Sequence, residues 1–177
     1  MRKIAVIGSG GAGKSTLARR LGEVLGIEVI HLDTLYWKPG WIATPKQEWR
    51  EIVEELVARD TWIIDGNYGA TLDVRLVTAD TVVFLDYPNI VCLWRAIRRR
   101  IHYHGRPRPD MAEGCREQID WDFIVWIWRF RKDSRPSVVQ RIAEFGQNAE
   151  IIHLRSPRDA ECFLLTIHSG DTLREKA

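Results

Sequence analysis

Residues Gly8 to Thr16 read GSGGAGKST and fit the spacing G-x-x-x-x-G-K-[ST], in which each residue type has a part in holding a chain of phosphates. Gly8, Gly10, Gly11 and Gly13, with the small Ala12 among them, permit the sharp turn that such a loop needs. The turn leaves backbone N–H groups free to face an anion, beside the positive end of the helix that follows. Lys14 adds a mobile point charge for the β- and γ-phosphates. The Ser15 hydroxyl is placed to join a Mg²⁺ shell, and Thr16 completes the motif. The expected ligand is a nucleoside triphosphate with Mg²⁺. A glycine-rich turn carrying a chance lysine is the alternative, and the flanking residues decide between them.

A phosphate loop needs a strand before it and a helix after it. Ile4, Ala5, Val6 and Ile7 form a short apolar run that predicts a buried strand, and Leu17, Leu21, Val24 and Leu25 recur at helical spacing. The same alternation continues along the chain. Glu28 to His31 predict a second strand, with Asp33 at its end. Thr44-Pro45-Lys46-Gln47 predicts a helix start: a threonine cap, proline at the first helical position and glutamine three residues after the cap. Trp49, Ile52, Val53, Leu56 and Val57 mark the buried face of that helix. Trp62 to Ile64 predict a third strand running into Asp65-Gly66, and Thr81 to Leu85 a fourth ending at Asp86. Pro88 opens a long helix to about Arg100. Ile151 to Leu154 predict a fifth strand, and Ser156-Pro157-Arg158-Asp159 caps a last helix that frays after about Asp171. Strands separated by helical crossovers predict one α/β domain over residues 1–177, with a parallel sheet covered by helices on both faces. Ligands gather beyond the carboxyl ends of such strands, where Gly8, Asp33, Asp65 and Asp86 all fall.

Between the fourth and fifth strands lies an insertion rich in arginine and tryptophan. It holds Arg95, Arg98, Arg99 and Arg100, then Gly105-Arg106-Pro107-Arg108-Pro109-Asp110, then Trp121, Trp126, Trp128, Arg129, Arg131 and Arg135. A guanidinium is always charged and clamps phosphate oxygens in pairs, so this cluster suits a lid closing over phosphates, placed at about 100–135. Asp33 has two readings: a carboxylate that holds or deprotonates an accepting hydroxyl, or a cap on the turn Asp33-Thr34-Leu35-Tyr36. Trp37, Trp41, Trp121, Trp126 and Trp128 offer indole faces for a planar ring, whereas Trp49, Trp62 and Trp94 read as core.

Composition narrows the field further. A formal net charge of +2 gives no general attraction to nucleic acid or membrane. The widely spaced Cys92, Cys115 and Cys162 contain no C-x-x-C, which argues against a disulfide framework or zinc site and for buried thiols. The five histidines show no metal-ligand spacing. The apolar stretch from Phe123 to Trp128 is too short to span a bilayer, and the early first strand leaves no room for a signal peptide, so a cytoplasmic protein is expected.

With these residues in view, the chain resembles the adenylate kinase-like P-loop kinases, and within them the group known as topology modulation proteins. The resemblance rests on GSGGAGKST, HLDTLYWKPGW (His31 to Trp41), WIIDGNYG (Trp62 to Gly69), FLDYP (Phe84 to Pro88) and RPDMAEGC (Arg108 to Cys115). It implies a five-stranded parallel sheet in the order 2-3-1-4-5, an acceptor region after the second strand and an arginine lid after the fourth. It further implies that Gly8, Gly13, Lys14 and Ser15 hold ATP and Mg²⁺, and that Asp65 sits near metal-bound waters. Arg95 and Arg99, then Arg129 and Arg135, match positions where the family brings arginines to the nucleotide. The family's DG[FY]PR motif departs here to Asp65-Gly66-Asn67-Tyr68-Gly69, without its proline and arginine. That arginine grips a nucleotide acceptor's phosphate, so Arg75 is left as a substitute or as a surface arginine.

The expected activity is transfer of the γ-phosphoryl of MgATP to a small-molecule or nucleotide acceptor. Lys14, Asp33, Asp65, Arg99 and Arg129 form the expected catalytic set. Asp33, Trp37, Asn67, Arg75 and Arg135 form the expected acceptor site, with a hydroxyl narrowly favoured. The alternatives are an ATP-dependent DNA-associated protein, disfavoured by the near-neutral charge, and a nucleotide-binding regulator without turnover. Neither the acceptor nor the oligomeric state is legible in these residues.

Overall fold

The computed structural model describes residues 1–103, 111–112, 114–115 and 120–174, the side chains of 170–174 excepted. Arg106, Arg108 and the other residues of 104–110 in the expected lid, with part of RPDMAEGC, lie outside the described residues. In chain order the elements are β1 (Lys3–Gly8), α1 (Lys14–Leu25), β2 (Val29–His31), α2 (Leu32–Tyr36), β3 (Trp37–Lys38), β4 (Ile42–Ala43) and α3 (Lys46–Ala58). There follow β5 (Trp62–Asp65), a 3₁₀ turn at Gly69–Thr71, α4 (Leu72–Thr78), β6 (Thr81–Leu85), α5 (Asn89–His102), α6 (Trp121–Asp133), α7 (Arg135–Phe145), β7 (Glu150–Leu154) and α8 (Pro157–Arg174).

Five strands form one parallel sheet in the order β2-β5-β1-β6-β7. With the small hairpin set aside, this is the expected order 2-3-1-4-5. Strand side chains alternate between faces, so the continuous apolar runs are divided between two cores. Ile4, Val6, Ile63, Val83 and Leu85 face Leu17, Ala18 and Leu21 of α1, Cys92 and Ala96 of α5, and Ala160 and Leu164 of α8. Ala5, Ile7, Trp62, Ile64, Val82 and Phe84 face Trp49, Val53, Leu56 and Val57 of α3, with Leu72 and Leu76 of α4. Each Val, Leu, Ile or Phe among them contributes about 1.5–3 kcal/mol when fully buried, which is what anchors the loops at the carboxyl ends of the strands.

Local chemistry departs from expectation in several places. Thr44 does not cap α3: it is buried, and its hydroxyl donates to the Tyr36 carbonyl at 2.7 Å, closing the connection between α2 and α3. Asp33 lies inside the short helix α2 rather than in a plain turn. Trp37-Lys38 and Ile42-Ala43 pair as an antiparallel hairpin turning through Gly40 and Trp41, both at positive φ (82° and 64°). Trp94 is 65 % exposed, not core, and Cys162 is exposed while Cys92 and Cys115 are buried. Helix α8 continues to Arg174, past Asp171. Its cap follows the expected pattern: Asp159 N–H donates to Ser156 Oγ at 3.2 Å, and Ser156 N–H donates back to Asp159 Oδ2 at 3.1 Å. No helix of the described residues is long and apolar enough to cross a membrane.

Candidate active site

The loop between β1 and α1 is held open by close contacts that only glycine permits. Gly11 has φ 73°, and a Cβ there would sit 2.1 Å from the Cys92 carbonyl oxygen of α5. At Gly10 a Cβ would come within 2.8 Å of the Trp126 ring and 2.9 Å of Phe123, so α6 lies directly over the loop. Gly13 precedes α1 in the left-handed region, which aims the helix N-terminus at the space above the loop. Lys14 is the first residue of that helix, and its Nζ donates to the Ser9 carbonyl at 3.0 Å. Burial pushes the Lys14 pKa below the ordinary lysine value, while the Asp33 and Asp65 carboxylates pull it back up and the Arg99 charge lowers it again. The lysine thus lies in the fields of both acids and of one arginine.

Those acids come from neighbouring strands. Asp65 ends β5, is 3 % exposed, and pairs in register with His31 of β2. Its Oδ2 lies 3.1 Å from His31 Nδ1. Asp33 sits in the first turn of α2, where its Oδ1 accepts a hydrogen bond from the Tyr68 hydroxyl at 2.5 Å. Burial raises the Tyr68 pKa, and the adjacent Asp33 charge raises it further, so the phenol stays protonated and donates. The turn is closed instead by Thr34, whose hydroxyl donates to the His31 carbonyl at 2.7 Å, leaving the Asp33 carboxylate outside the local backbone.

A cavity of about 710 Å³ joins these groups, within the size range of small-molecule sites. From the sequence-predicted set it is lined by Gly10, Gly11, Gly13, Lys14, Ser15 and Thr16 at one end. Asp33, Trp37, Asp65 and Asn67 line the other, with Arg95 and Arg99 on the α5 wall. Arg95 and Arg99 are four residues apart and share a helix face. Arg95 Nη1 donates to the Ala12 carbonyl at 3.2 Å, tying α5 to the loop. Trp41 also lines the cavity, packed edge-on to Trp37 at 5.3 Å between ring centroids.

Five predicted residues lie elsewhere. Gly8 and Ala12 form the underside of the loop: a Cβ at Gly8 would be 2.6 Å from the Leu85 carbonyl oxygen, and Ala12 is 1 % exposed. Both shape the loop without lining the cavity. Arg129 is exposed and paired with Asp133 at 2.8 Å along α6. Arg135 clamps Asp86, with Nε at 2.8 Å from Oδ1 and Nη2 at 2.8 Å from Oδ2, and His153 Nε2 lies 2.9 Å from the same carboxylate. Neither arginine lines the cavity: α6 presents Phe123 and Trp126 to it rather than Arg129, and Arg135, at the start of α7, is held on Asp86. Trp121 and Trp128 likewise point to solvent.

Arg75 is neither a surface arginine nor a cavity residue. It is fully buried, with Nη1 donating to the Gly66 carbonyl at 2.9 Å and Nη2 to the Tyr68 carbonyl at 3.0 Å. Burial pushes its pKa down to about 10, with the Asp65 charge opposing, so it remains charged at neutral pH. Its guanidinium holds the loop that carries Asn67 and Tyr68. The reading from residue types missed Tyr68, Arg19, Tyr103, Met111, Asp120 and Phe123 as cavity residues. Tyr68 had one signal, as the residue replacing the proline position of a phosphate-gripping motif; the others are brought in only by packing.

The donor set suits a nucleotide-borne Mg²⁺: a serine hydroxyl and two carboxylates are hard oxygen ligands, and Mg²⁺ held by phosphates needs only one or two from the protein. Among the described residues no group of three or more His, Cys, Asp and Glu side chains is placed to hold a metal by itself. Ser15 and Asp65, the latter through water, are the residues that would complete the shell.

Neither a protein-family model nor a curated protein matches the chain. Its fold is that of several solved P-loop kinases. Shikimate kinase from Acinetobacter baumannii in complex with shikimate aligns with TM-score 0.65 and 20 % identity over 94 % of this chain and 90 % of the other. Shikimate kinase from Bacteroides thetaiotaomicron aligns with TM-score 0.51 and 17 % identity, covering 94 % and 95 %. A gluconokinase from Sinorhizobium meliloti 1021 aligns with TM-score 0.50 and 16 % identity, covering 98 % and 97 %. The chain therefore has the α/β architecture of these kinases, with the five-stranded parallel sheet already described.

Proposed function

We propose that this protein is a small-molecule kinase that transfers the γ-phosphoryl of MgATP to a hydroxyl. The observation carrying this reading is the placement of two side chains. Asp33, held by Tyr68, faces the same cavity as Lys14, while Arg75 is buried beneath the loop, off the cavity lining, with Nη1 on the Gly66 carbonyl and Nη2 on the Tyr68 carbonyl. A phosphate acceptor arrives ionised and needs a cation; a hydroxyl acceptor needs a carboxylate within reach. The acceptor end offers the second.

MgATP supplies the transferable phosphoryl group and the charge that organises it. The chain does the rest by positioning. The Gly8–Thr16 loop and the α1 N-terminus hold the phosphates, and Lys14 and Arg99 offset the negative charge that spreads over them during transfer. Arg95 braces the loop. Asp33 orients the acceptor hydroxyl and takes its proton as the new O–P bond forms and the bond from the γ-phosphorus to the β–γ bridging oxygen breaks, ADP leaving; Trp37 and Trp41 form an aromatic wall for the acceptor's body. The names shikimate kinase and gluconokinase among the structural neighbours agree with a small-molecule acceptor. HLDTLYWKPGW and RPDMAEGC support placing the chain with the topology modulation group of adenylate kinase-like proteins.

A panel of hydroxyl and phosphate acceptors, assayed with MgATP by ADP release, tests the reading. Acceptor-dependent ADP release with a hydroxyl compound supports it. Turnover confined to phosphate-bearing acceptors, or ATP binding without turnover on any acceptor, would set it aside.

A further inference from the structure

Helix α5 divides its residues among three directions. Cys92 and Ala96 enter the core, and Arg95 and Arg99 line the cavity. Ile90, Trp94, Ile97 and Ile101 face outward, exposed by 63, 65, 37 and 71 %. Steps of four, three and four residues keep these four on one narrow helix face. Helix α6 widens the patch. Trp121 and Trp128, two turns apart on one face, are 74 and 58 % exposed, and Asn89 at the start of α5 donates to the Trp128 carbonyl, which holds the two helices side by side.

Two arguments say what covers this surface. The first is area: the six side chains present on the order of 700 Å² of apolar surface. That exceeds the patch of a typical monomer and approaches the ~800 Å² that each partner of a standard interface buries. The second is symmetry. The steps four-three-four read the same in both directions. When a second copy of α5 is laid antiparallel on the first, Ile90 meets Ile101 of the partner subunit, and Trp94 meets Ile97 of the partner subunit. A two-fold interface requires such a self-complementary patch, and an unrelated partner would have no reason to match it.

We propose that this protein forms a two-fold symmetric homodimer through α5 and α6, with the two α5 helices antiparallel. The cavities then open away from the interface, since Arg95 and Arg99 lie on the side of α5 opposite the stripe. The proposal stands independently of the kinase reading.

Sedimentation equilibrium of the full chain over a range of concentrations tests the assembly, and twice the 20.5 kDa chain mass is expected. Trp94→Glu combined with Ile97→Glu should weaken the dimer at least about a hundredfold, because buried aromatic anchors carry interface energy. The variant should keep its circular dichroism spectrum and ATP affinity, since both positions are exposed and off the cavity. A wild type that stays monomeric throughout, or a variant that stays dimeric, overturns the proposal. Register is tested by disulfide trapping in a Cys162→Ser background. A mixture of Ile90→Cys and Ile101→Cys chains should cross-link, whereas each alone should not. Cross-linking of either variant with itself, or none in the mixture, overturns the antiparallel arrangement.

Discussion

The Tyr68 hydroxyl donates to Asp33 Oδ1 at 2.5 Å, joining the loop after β5 to the helix after β2. Tyr68 is held in turn through its carbonyl by the buried Arg75. The candidate base is thus positioned by an interior cation acting through a phenol. This arrangement makes distinct demands on each member, and the demands can be separated by substitution.

Asp33→Asn should lower turnover on a hydroxyl acceptor about a hundredfold to ten-thousandfold while leaving ATP affinity nearly unchanged. Tyr68→Phe removes one hydrogen bond and should cost less, with the loss falling mainly on kcat because Asp33 remains but is less well aimed. Steady-state kinetics on one identified acceptor give both values. A fully active Asp33→Asn would remove the carboxylate from the chemistry.

Lys14→Ala should abolish MgATP binding or turnover with the fold intact. Among the described residues the Lys14 side chain makes one hydrogen bond, to the Ser9 carbonyl, and it lines the cavity. Nucleotide titration alongside circular dichroism tests this. A folded variant with unchanged ATP affinity and turnover would displace the Gly8–Thr16 loop from the account.

Arg75→Ala should act through stability. It leaves the carbonyls of Gly66 and Tyr68 without their buried donors and opens a cavity, for a cost of about 3–5 kcal/mol. Thermal or urea unfolding should show the loss for the chain by itself, with no acceptor added. An Arg75→Ala protein of wild-type stability that binds acceptor poorly would return Arg75 to the acceptor site.

Asp86 carries a pH dependence. Burial alone would raise its pKa, but hydrogen bonds from Arg135 and His153 outweigh that and hold the carboxyl below its ordinary value. A carboxyl depressed in the folded state stabilises the fold at every pH above its unfolded pKa of about 3.9. That stabilisation is lost as pH falls through the lower folded value. Arg135→Ala should therefore cost about 1–3 kcal/mol near neutral pH. The gap to wild type should close below about pH 4, as measured by urea unfolding. A gap that does not change with pH would mean that Arg135 contributes by packing alone.

Binding to single-stranded or duplex DNA should be weak and fall steeply with salt, because the net charge is only +2 and any attraction must come from local arginines. Filter binding or fluorescence anisotropy across a salt series checks this. Tight, sequence-selective binding at physiological salt would favour a DNA-associated role.

Local pattern was enough for whatever depends on local pattern. GSGGAGKST, the apolar runs of β1, β5 and β6, and the Ser156–Asp159 cap were legible because turn geometry, strand burial and capping are decided within a few residues. From these followed the parallel sheet and the loop end of the cavity. The destinations of long side chains were not legible. Arg75 and Arg135 have the same residue type as Arg95 and Arg99, yet the first two satisfy buried carbonyls and a buried carboxylate while the last two face the cavity. A guanidinium several bonds from its Cα goes where unpaired acceptors are, and those acceptors come from distant segments. The same holds for Thr44, drawn off a cap by the Tyr36 carbonyl, and for Trp94, left outside by a helix face that only packing defines. The sequence by itself determined the phosphate loop and the sheet, and singled out Asp33 as a candidate base. The tertiary structure decided which cations line the cavity and which are bonded within the fold, because only a folded chain brings charges and acceptors from separate elements within hydrogen-bonding distance.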